Sequence, residues 1–100
     1  MRNIILLCNM GMSTSLMVNK MKVAAAESGY VCEVSAHALQ QADAVIPGAD
    51  ILLVGPQLSF ELDRLRGAYP GKRIEAINMA DYGRMDGKKV LQYVKEVLGD

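Results

Sequence analysis

Two short runs, Ile4-Ile5-Leu6-Leu7 and Ile51-Leu52-Leu53-Val54, constrain this chain more than any other feature. A β-prone segment with no polar position has no face to offer water, so it must be covered on both sides, as strands are in a parallel sheet clothed by helices. These two segments are therefore central strands. Tyr30 to Ala36 and Arg73 to Ile77 alternate instead: Glu33, Ser35, Arg73 and Glu75 are expected to face away from Cys32, Val34, Ile74 and, less strictly, Ile77. Alternation suits half-covered edge strands.

Helical patterns separate the four. Met17, Val18, Met21, Ala24 and Ala25 form one apolar stripe opposite Asn19, Lys20, Lys22 and Glu27, with Gly29 placed to end the helix. His37 to Ile46 reads as a weaker helix before Pro47-Gly48. Leu58, Leu62, Leu65 and Tyr69 make another stripe closed by Pro70-Gly71, and Val90, Leu91, Val94, Val97 and Leu98 make the last, with Lys88-Lys89 on a solvated face. Strand and helix in alternation imply right-handed crossovers and a three-layer α/β domain. With the apolar strands inside, the natural order is 2-1-3-4, a flavodoxin-like sheet whose chain leaves strand 1 in one direction and returns on the other side. The crevice at that switch point, at the carboxyl end of strand 1, is where such folds bind ligands. Cys8 stands there.

The bulk numbers agree with one domain over residues 1–100: 51% of the chain is apolar and 22% charged, a globular composition. The run Ile4 to Cys8 is too short to span a bilayer, and with only Arg2 ahead of it and no small residue before Cys8 it fails as a signal or lipoprotein leader, so a cytoplasmic location is expected. Eleven basic residues balance eleven acidic ones without forming a stripe, which disfavours nucleic acid as a partner and suits a monomer that docks transiently. Cys8 and Cys32 have neither Cys-x-x-Cys spacing nor a histidine cluster, so no metal and no cofactor are expected. Cys32 reads as an inert core thiol, and His37 as a surface polar residue.

The stretch Cys8-Asn9-Met10-Gly11-Met12-Ser13-Thr14-Ser15 joins strand 1 to a helix. Such a loop offers unpaired backbone N–H groups and the positive end of the helix dipole, which bind an anion and favour a thiolate, the nucleophilic form of cysteine. Gly11 permits close backbone approach, and Ser13, Thr14 and Ser15 can donate to phosphate oxygens or cap the helix. The Walker pattern is absent, because no lysine follows until Lys20. Low-molecular-weight tyrosine phosphatases place Cys-x-x-x-x-x-Arg-Ser/Thr in the same setting, but here Thr14 stands in the arginine's place. Without that cation a phosphocysteine would be held by neutral donors and hydrolysed poorly, which suits a carrier better than a phosphatase. Asp81 and Tyr82, just past strand 4, are candidate rim residues, the aspartate as a general acid.

"CNMGMSTSL", "ADILLVGPQ" and "DYGRMDGKKVL" together resemble, over essentially the whole chain, the enzyme IIB component of the lactose/cellobiose/diacetylchitobiose class of the bacterial phosphoenolpyruvate-dependent sugar phosphotransferase system. The resemblance implies that Cys8 accepts a phosphoryl group from a phosphohistidine on a IIA partner. It further implies transfer to a β-linked disaccharide held by a membrane-embedded IIC partner, with residues 9 to 15 as the phosphate cradle. Asn9-Met10 departs from the small pair, such as Ser-Ala, commonest in that family, which bears on partner contact. Two other readings predict different behaviour: a cysteine phosphatase or arsenate-reductase-like protein would hydrolyse aryl phosphates, and a regulatory module would change its affinity for a regulator when Cys8 is phosphorylated.

Overall fold

The computed structural model describes residues 1–8 and 12–100, without the side chains of residues 12 and 13. Four strands, β1 (Arg2–Cys8), β2 (Cys32–Ala38), β3 (Ile51–Val54) and β4 (Ile74–Ala76), form one parallel sheet in the order β2-β1-β3-β4. Among the described residues five α-helices, α1 (Met12–Ser28), α2 (Ala42–Val45), α3 (Leu62–Ala68), α4 (Met79–Gly83) and α5 (Gly87–Leu98), connect or flank them. The apolar runs do occupy the middle. Ile4, Leu6, Leu7, Ile51, Leu53 and Val54 are fully buried, each such side chain contributing about 2 kcal/mol of transfer free energy.

Because side chains alternate along a strand, the two central strands feed two cores. Ile4, Leu6, Ile51 and Leu53 pack with Met17, Val18, Met21, Ala24 and Ala25 of α1 and with Val90, Leu91 and Val94 of α5. Ile5, Leu7, Leu52 and Val54 pack with Ala42, Ile46, Leu58 and Leu65 on the opposite face. The result is three layers. Ile74 and Ile77 part company, contrary to the single face expected of them: Ile74 joins the second core and Ile77 the first, as an odd separation in a strand requires.

Element ends differ from the sequence expectation in instructive ways. β2 does not stop at Ala36: its register continues through His37 opposite Leu7 and Ala38 opposite Cys8. The helix expected over His37 to Ile46 is therefore displaced. After Ala38 the chain runs through a 3-10 turn (Leu39–Gln41), the four-residue α2 and a second 3-10 turn (Ile46–Gly48). Pairing with a buried central strand outweighs the weak helical pattern of "HALQQADAVI". Ahead of α3, Pro56–Glu61 is 3-10 with a kink at Leu58 (φ −111°, ψ 15°), so the stripe Leu58, Leu62, Leu65 is read across a bend. Tyr30 and Val31 precede β2 rather than belonging to it. Arg73 and Ile77 lie just beyond β4 yet keep backbone bonds to Leu52 and Val54, at 2.8 and 2.9 Å.

The two ends of the sheet are treated differently. At the amino end, the Arg2 guanidinium donates to both carboxylate oxygens of Asp100, each at 2.9 Å, and Tyr30 Oη donates to Asp100 Oδ2 at 2.5 Å. Asp50 accepts from the Asn3 backbone N–H at 2.6 Å, tying β3 to β1. The Arg2 and Tyr30 hydrogen bonds draw the Asp100 carboxyl down to about 2, while burial, followed by the Asp100 contact, pushes the Tyr30 phenol up to about 12. A lowered carboxyl pKa stabilises the fold above its unfolded value, and that contribution is lost as pH falls through the folded one. Asp100→Asn should therefore lower the urea midpoint at neutral pH, and the difference from wild type should vanish as pH is taken from 4 toward 2.

Gly87 opens α5 where it crosses α1. A Cβ there would stand 2.6 Å from the Lys20 carbonyl carbon and 2.7 Å from the Met21 backbone nitrogen, groups that cannot swing aside. Gly87→Ala should cost about 1–3 kcal/mol by forcing the helices apart. Gly67→Ala in α3, where a Cβ meets nothing within 4 Å, should gain up to about 1 kcal/mol from helix propensity. Urea unfolding of the two variants checks both signs.

Candidate functional site

Cys8 is the last residue of β1 and is 7% exposed. β1 lies between β2 and β3, so the chain leaves it toward β2 and later returns beside its other edge: this is the topological switch point. By strand parity Cys8 shares the face of Ile4 and Leu6, the face covered by α1 and α5. On the far side of β1, Gly55 donates its N–H to the Leu7 carbonyl at 3.0 Å, bringing the turn after β3 against the end of β1.

α1 begins at Met12 and continues for 17 residues, with no acidic side chain in its first turn to offset the positive end of its dipole. That end and Cys8 lie at the same edge of the sheet. Asn9, Met10 and Gly11, together with the side chains of Met12 and Ser13, lie outside the described residues. The remaining two cradle candidates differ sharply. Thr14 is buried, 3% exposed, and its Oγ1 lies 3.1 Å from Tyr82 Oη, whereas Ser15 is exposed. The Thr14–Tyr82 contact joins α1 to α4 across 68 residues, a pairing that nothing in the linear pattern announces.

Asp81 and Tyr82, adjacent in sequence, part ways because neighbours on a helix point about 100° apart. Tyr82 turns into the core beneath α1, at 7% exposure. Asp81 faces Arg84, 3.4 Å away, and lines a cleft with Asn78, Val90 and Tyr93. Two residues hold this corner as helix caps, a role the sequence pattern had not assigned to either. Asn78 caps α4, its side chain accepting from the Ala80 and Asp81 N–H groups at 2.9 and 3.1 Å, and Asp86 caps α5 by accepting from Lys89 N–H at 3.1 Å. The signal was present, since Asn and Asp are preferred immediately before a helix.

His37 lies beside Cys8 in the sheet but not on its face: it pairs in register with Leu7, and its Nε2 lies 3.1 Å from Ser35 Oγ. Cys32 pairs in register with Arg2 at the opposite end of the sheet, and burial pushes its thiol pKa up. Six residue steps along β1 separate the two cysteines' registers, roughly 20 Å. Among the described residues no His, Cys, Asp and Glu side chains gather as a metal site, and no helix is long and apolar enough to cross a membrane.

A parallel α/β sheet with a cysteine at its switch point, on the face covered by a long helix, places the chain among the open α/β folds that bind ligands outside the carboxyl ends of their strands. The particular family follows from comparison. The chain belongs to the family described as "PTS system, Lactose/Cellobiose specific IIB subunit", which matches residues 3–93. It is 41% identical over 95 residues to the "PTS system oligo-beta-mannoside-specific EIIB component" of Bacillus subtilis, covering 92% of this chain and 91% of that protein. It is 38% identical over 102 residues to the "PTS system galactose-specific EIIB component" of Lactococcus lactis subsp. cremoris, covering 95% and 94%. The solution structure of the cellobiose-specific phosphotransferase IIB component protein from Borrelia burgdorferi matches with a TM-score of 0.82 at 35% identity, over 98% of this chain and 92% of that one. The lactose-specific IIB component domain from Streptococcus pneumoniae shares the fold with a TM-score of 0.84, at 17% identity and 95% coverage of each chain.

The distance between the cysteines has a direct consequence. Mild oxidation should yield no intramolecular Cys8–Cys32 disulfide, as read by intact mass and peptide mapping under denaturing conditions; a linked peptide pair from monomeric protein would contradict the register.

Proposed function

We propose that the protein is a cytoplasmic phosphoryl carrier of a sugar phosphotransferase system, with Cys8 as the group that carries the phosphate. The observation that supports this best is the placement of Cys8, at the end of the central strand and on the face covered by α1, whose first turn has no acidic residue. In the first step Cys8 Sγ attacks the phosphorus of a phosphohistidine on a IIA partner. The P–N bond breaks, an S–P bond forms, and the proton that leaves the thiol ends on the imidazole nitrogen. In the second step a sugar hydroxyl, presented by a membrane-embedded IIC partner, attacks the same phosphorus. The S–P bond breaks, and the hydroxyl proton passes to the departing thiolate.

Residues 9 to 15 form the cradle in this reading, their amides and hydroxyls meeting the phosphoryl oxygens. Holding a dianion with neutral donors binds it less firmly than an arginine fork would, which keeps the onward step open. Thr14 occupies the place of the phosphatase arginine and is buried against Tyr82, which favours a carrier over a hydrolase. The sugar is a β-linked disaccharide chosen by the IIC partner. Relatives of nearly equal identity to this chain are named for galactose, for oligo-β-mannoside and for cellobiose, so IIB sequences of this kind serve different sugars.

Incubation with phosphoenolpyruvate, the general phosphotransferase proteins and a lactose/cellobiose-class IIA protein should add the mass of one phosphoryl group to the wild type. The Cys8→Ser variant should gain no thiophosphate, and omission of the IIA protein should abolish the gain. A wild type that takes up no phosphate yet hydrolyses an aryl phosphate would replace this proposal with the phosphatase reading.

A further inference from the structure

We infer that Gln57 binds the phosphoryl group on Cys8: its side-chain carboxamide, folded back over Gly55 at the end of β3, donates an N–H to a phosphoryl oxygen. The inference rests on the proposed carrier role of Cys8 and adds to it a neutral donor from the other central strand.

Register and alternation set the geometry. β1 and β3 pair from Ile4 with Ile51 to Leu7 with Val54, and the Gly55 N–H continues that ladder by donating to the Leu7 carbonyl at 3.0 Å. One step beyond Val54, Gly55 therefore stands beside Cys8, at the inter-strand spacing of about 5 Å. Leu6 and Leu53 both face the α1 core, so two residues further on Cys8 and Gly55 share that face. Gly55 is extended (φ −60°, ψ 154°), a conformation open to any residue, so its backbone does not call for glycine. What a side chain there would lack is room: a Cβ would stand 3.1 Å from Gln57 Oε1 and 3.6 Å from the Leu7 carbonyl oxygen. The Gln57 carboxamide thus takes the place beside Cys8 that a cross-strand neighbour's side chain would fill.

The carboxamide is equipped to hold an anion. It carries two N–H donors and one carbonyl acceptor, and half a turn about its terminal bond exchanges Oε1 with Nε2 at the same spot. Among the described residues no hydrogen bond reaches it, and Gln57 is exposed, so it neither fills the core nor ties two elements together. The turn that carries it is nonetheless fixed. Pro56 sets its own φ, and the N–H of the buried Leu58 donates to the Gly55 carbonyl at 2.9 Å, closing the turn over Gln57. A phosphoryl dianion on Cys8 supplies the acceptor that the carboxamide lacks, and an uncharged donor holds it less deeply than an arginine fork would.

The test measures phosphoryl transfer from a phosphorylated lactose/cellobiose-class IIA protein to wild type, Gln57→Met, Gln57→Glu and Gly55→Ala, with urea stability recorded for each. Nitrogen–proton correlation NMR follows the side-chain amide signals. Phosphorylation of the wild type should shift the Gln57 side-chain signals, assigned by their loss in Gln57→Met, and omission of the IIA protein should leave them unmoved. Gln57→Met keeps the length and removes the donors. It should slow transfer by about tenfold at saturating IIA, the scale of one hydrogen bond to a charged group, with little change in the half-saturating IIA concentration. Gln57→Glu, which sets a carboxylate against the dianion, should be slower still. Gly55→Ala meets the far end of a flexible side chain, so it should keep the urea midpoint, displace the carboxamide and match Gln57→Met in rate. Gln57 signals unmoved by phosphorylation overturn the inference while leaving the carrier role intact. So does a Gly55→Ala variant as fast as wild type, or a Gln57→Met variant that raises only the half-saturating IIA concentration, which would make Gln57 a contact for the partner. A wild type that accepts no phosphate overturns both.

Discussion

β1 is hydrogen-bonded along both edges, to β2 over seven residue pairs and to β3 over four, and its side chains from Ile4 to Cys8 are buried on both faces. Nearly everything else depends on this placement. A strand so enclosed cannot slip in register without burying a polar residue, so its carboxyl end is a fixed point in space. The flanking strands leave that end in opposite directions, which opens the crevice, and α1 must start there because the shortest return to the sheet runs over its face. Cys8 is thereby set in place by the burial of the strand that carries it.

The division of polar labour follows from the same geometry. At the amino end Arg2, Asn3, Tyr30, Asp50 and Asp100 join β1, β2, β3 and the segment after α5 through charged hydrogen bonds. These groups are partly solvated, so each contributes modestly, but they close the end of the sheet where no site is needed. The Lys95 ammonium, 4.8 Å from the Tyr30 ring centroid, completes that closure. At the carboxyl end the sole described side-chain bond linking α1 to α4 is neutral, Thr14 to Tyr82. Charged hydrogen bonds thus close the amino end of the sheet, whereas the buried contact between α1 and α4 is made by two neutral hydroxyls.

How much of this was legible in the sequence depended on whether the signal was local. The central strands, their order, the three layers and the position of Cys8 followed from two apolar runs and the alternation around them, because burial on both faces leaves a pattern in every residue. The end of β2 did not: His37-Ala38, beyond the expected end at Ala36, carries no strand pattern, and it is strand because Leu7-Cys8 needs a partner. Equally, nothing local to Gly87 announces its role, and only the crossing of α5 over α1 reveals that a Cβ has no room there. In the site, sequence alone could not separate Thr14 from Ser15, since both are hydroxyls in a first helical turn. The 100° step between them sends one into the core and the other into water.

In the proposed carrier role, that step also bears on the choice between carriage and hydrolysis. A hydrolase gains by gripping the phosphoryl dianion and the charge that develops on it, and a fixed cation does both. A carrier placed between two proteins gains nothing from a deep well, because any stabilisation of the phosphocysteine adds to the barrier of the step that follows. Thr14, where a phosphatase has its arginine, adds no net charge and is buried against Tyr82, so the proposed role relies on the start of α1, whose first turn carries no acidic side chain, rather than on a cation in the arginine's place.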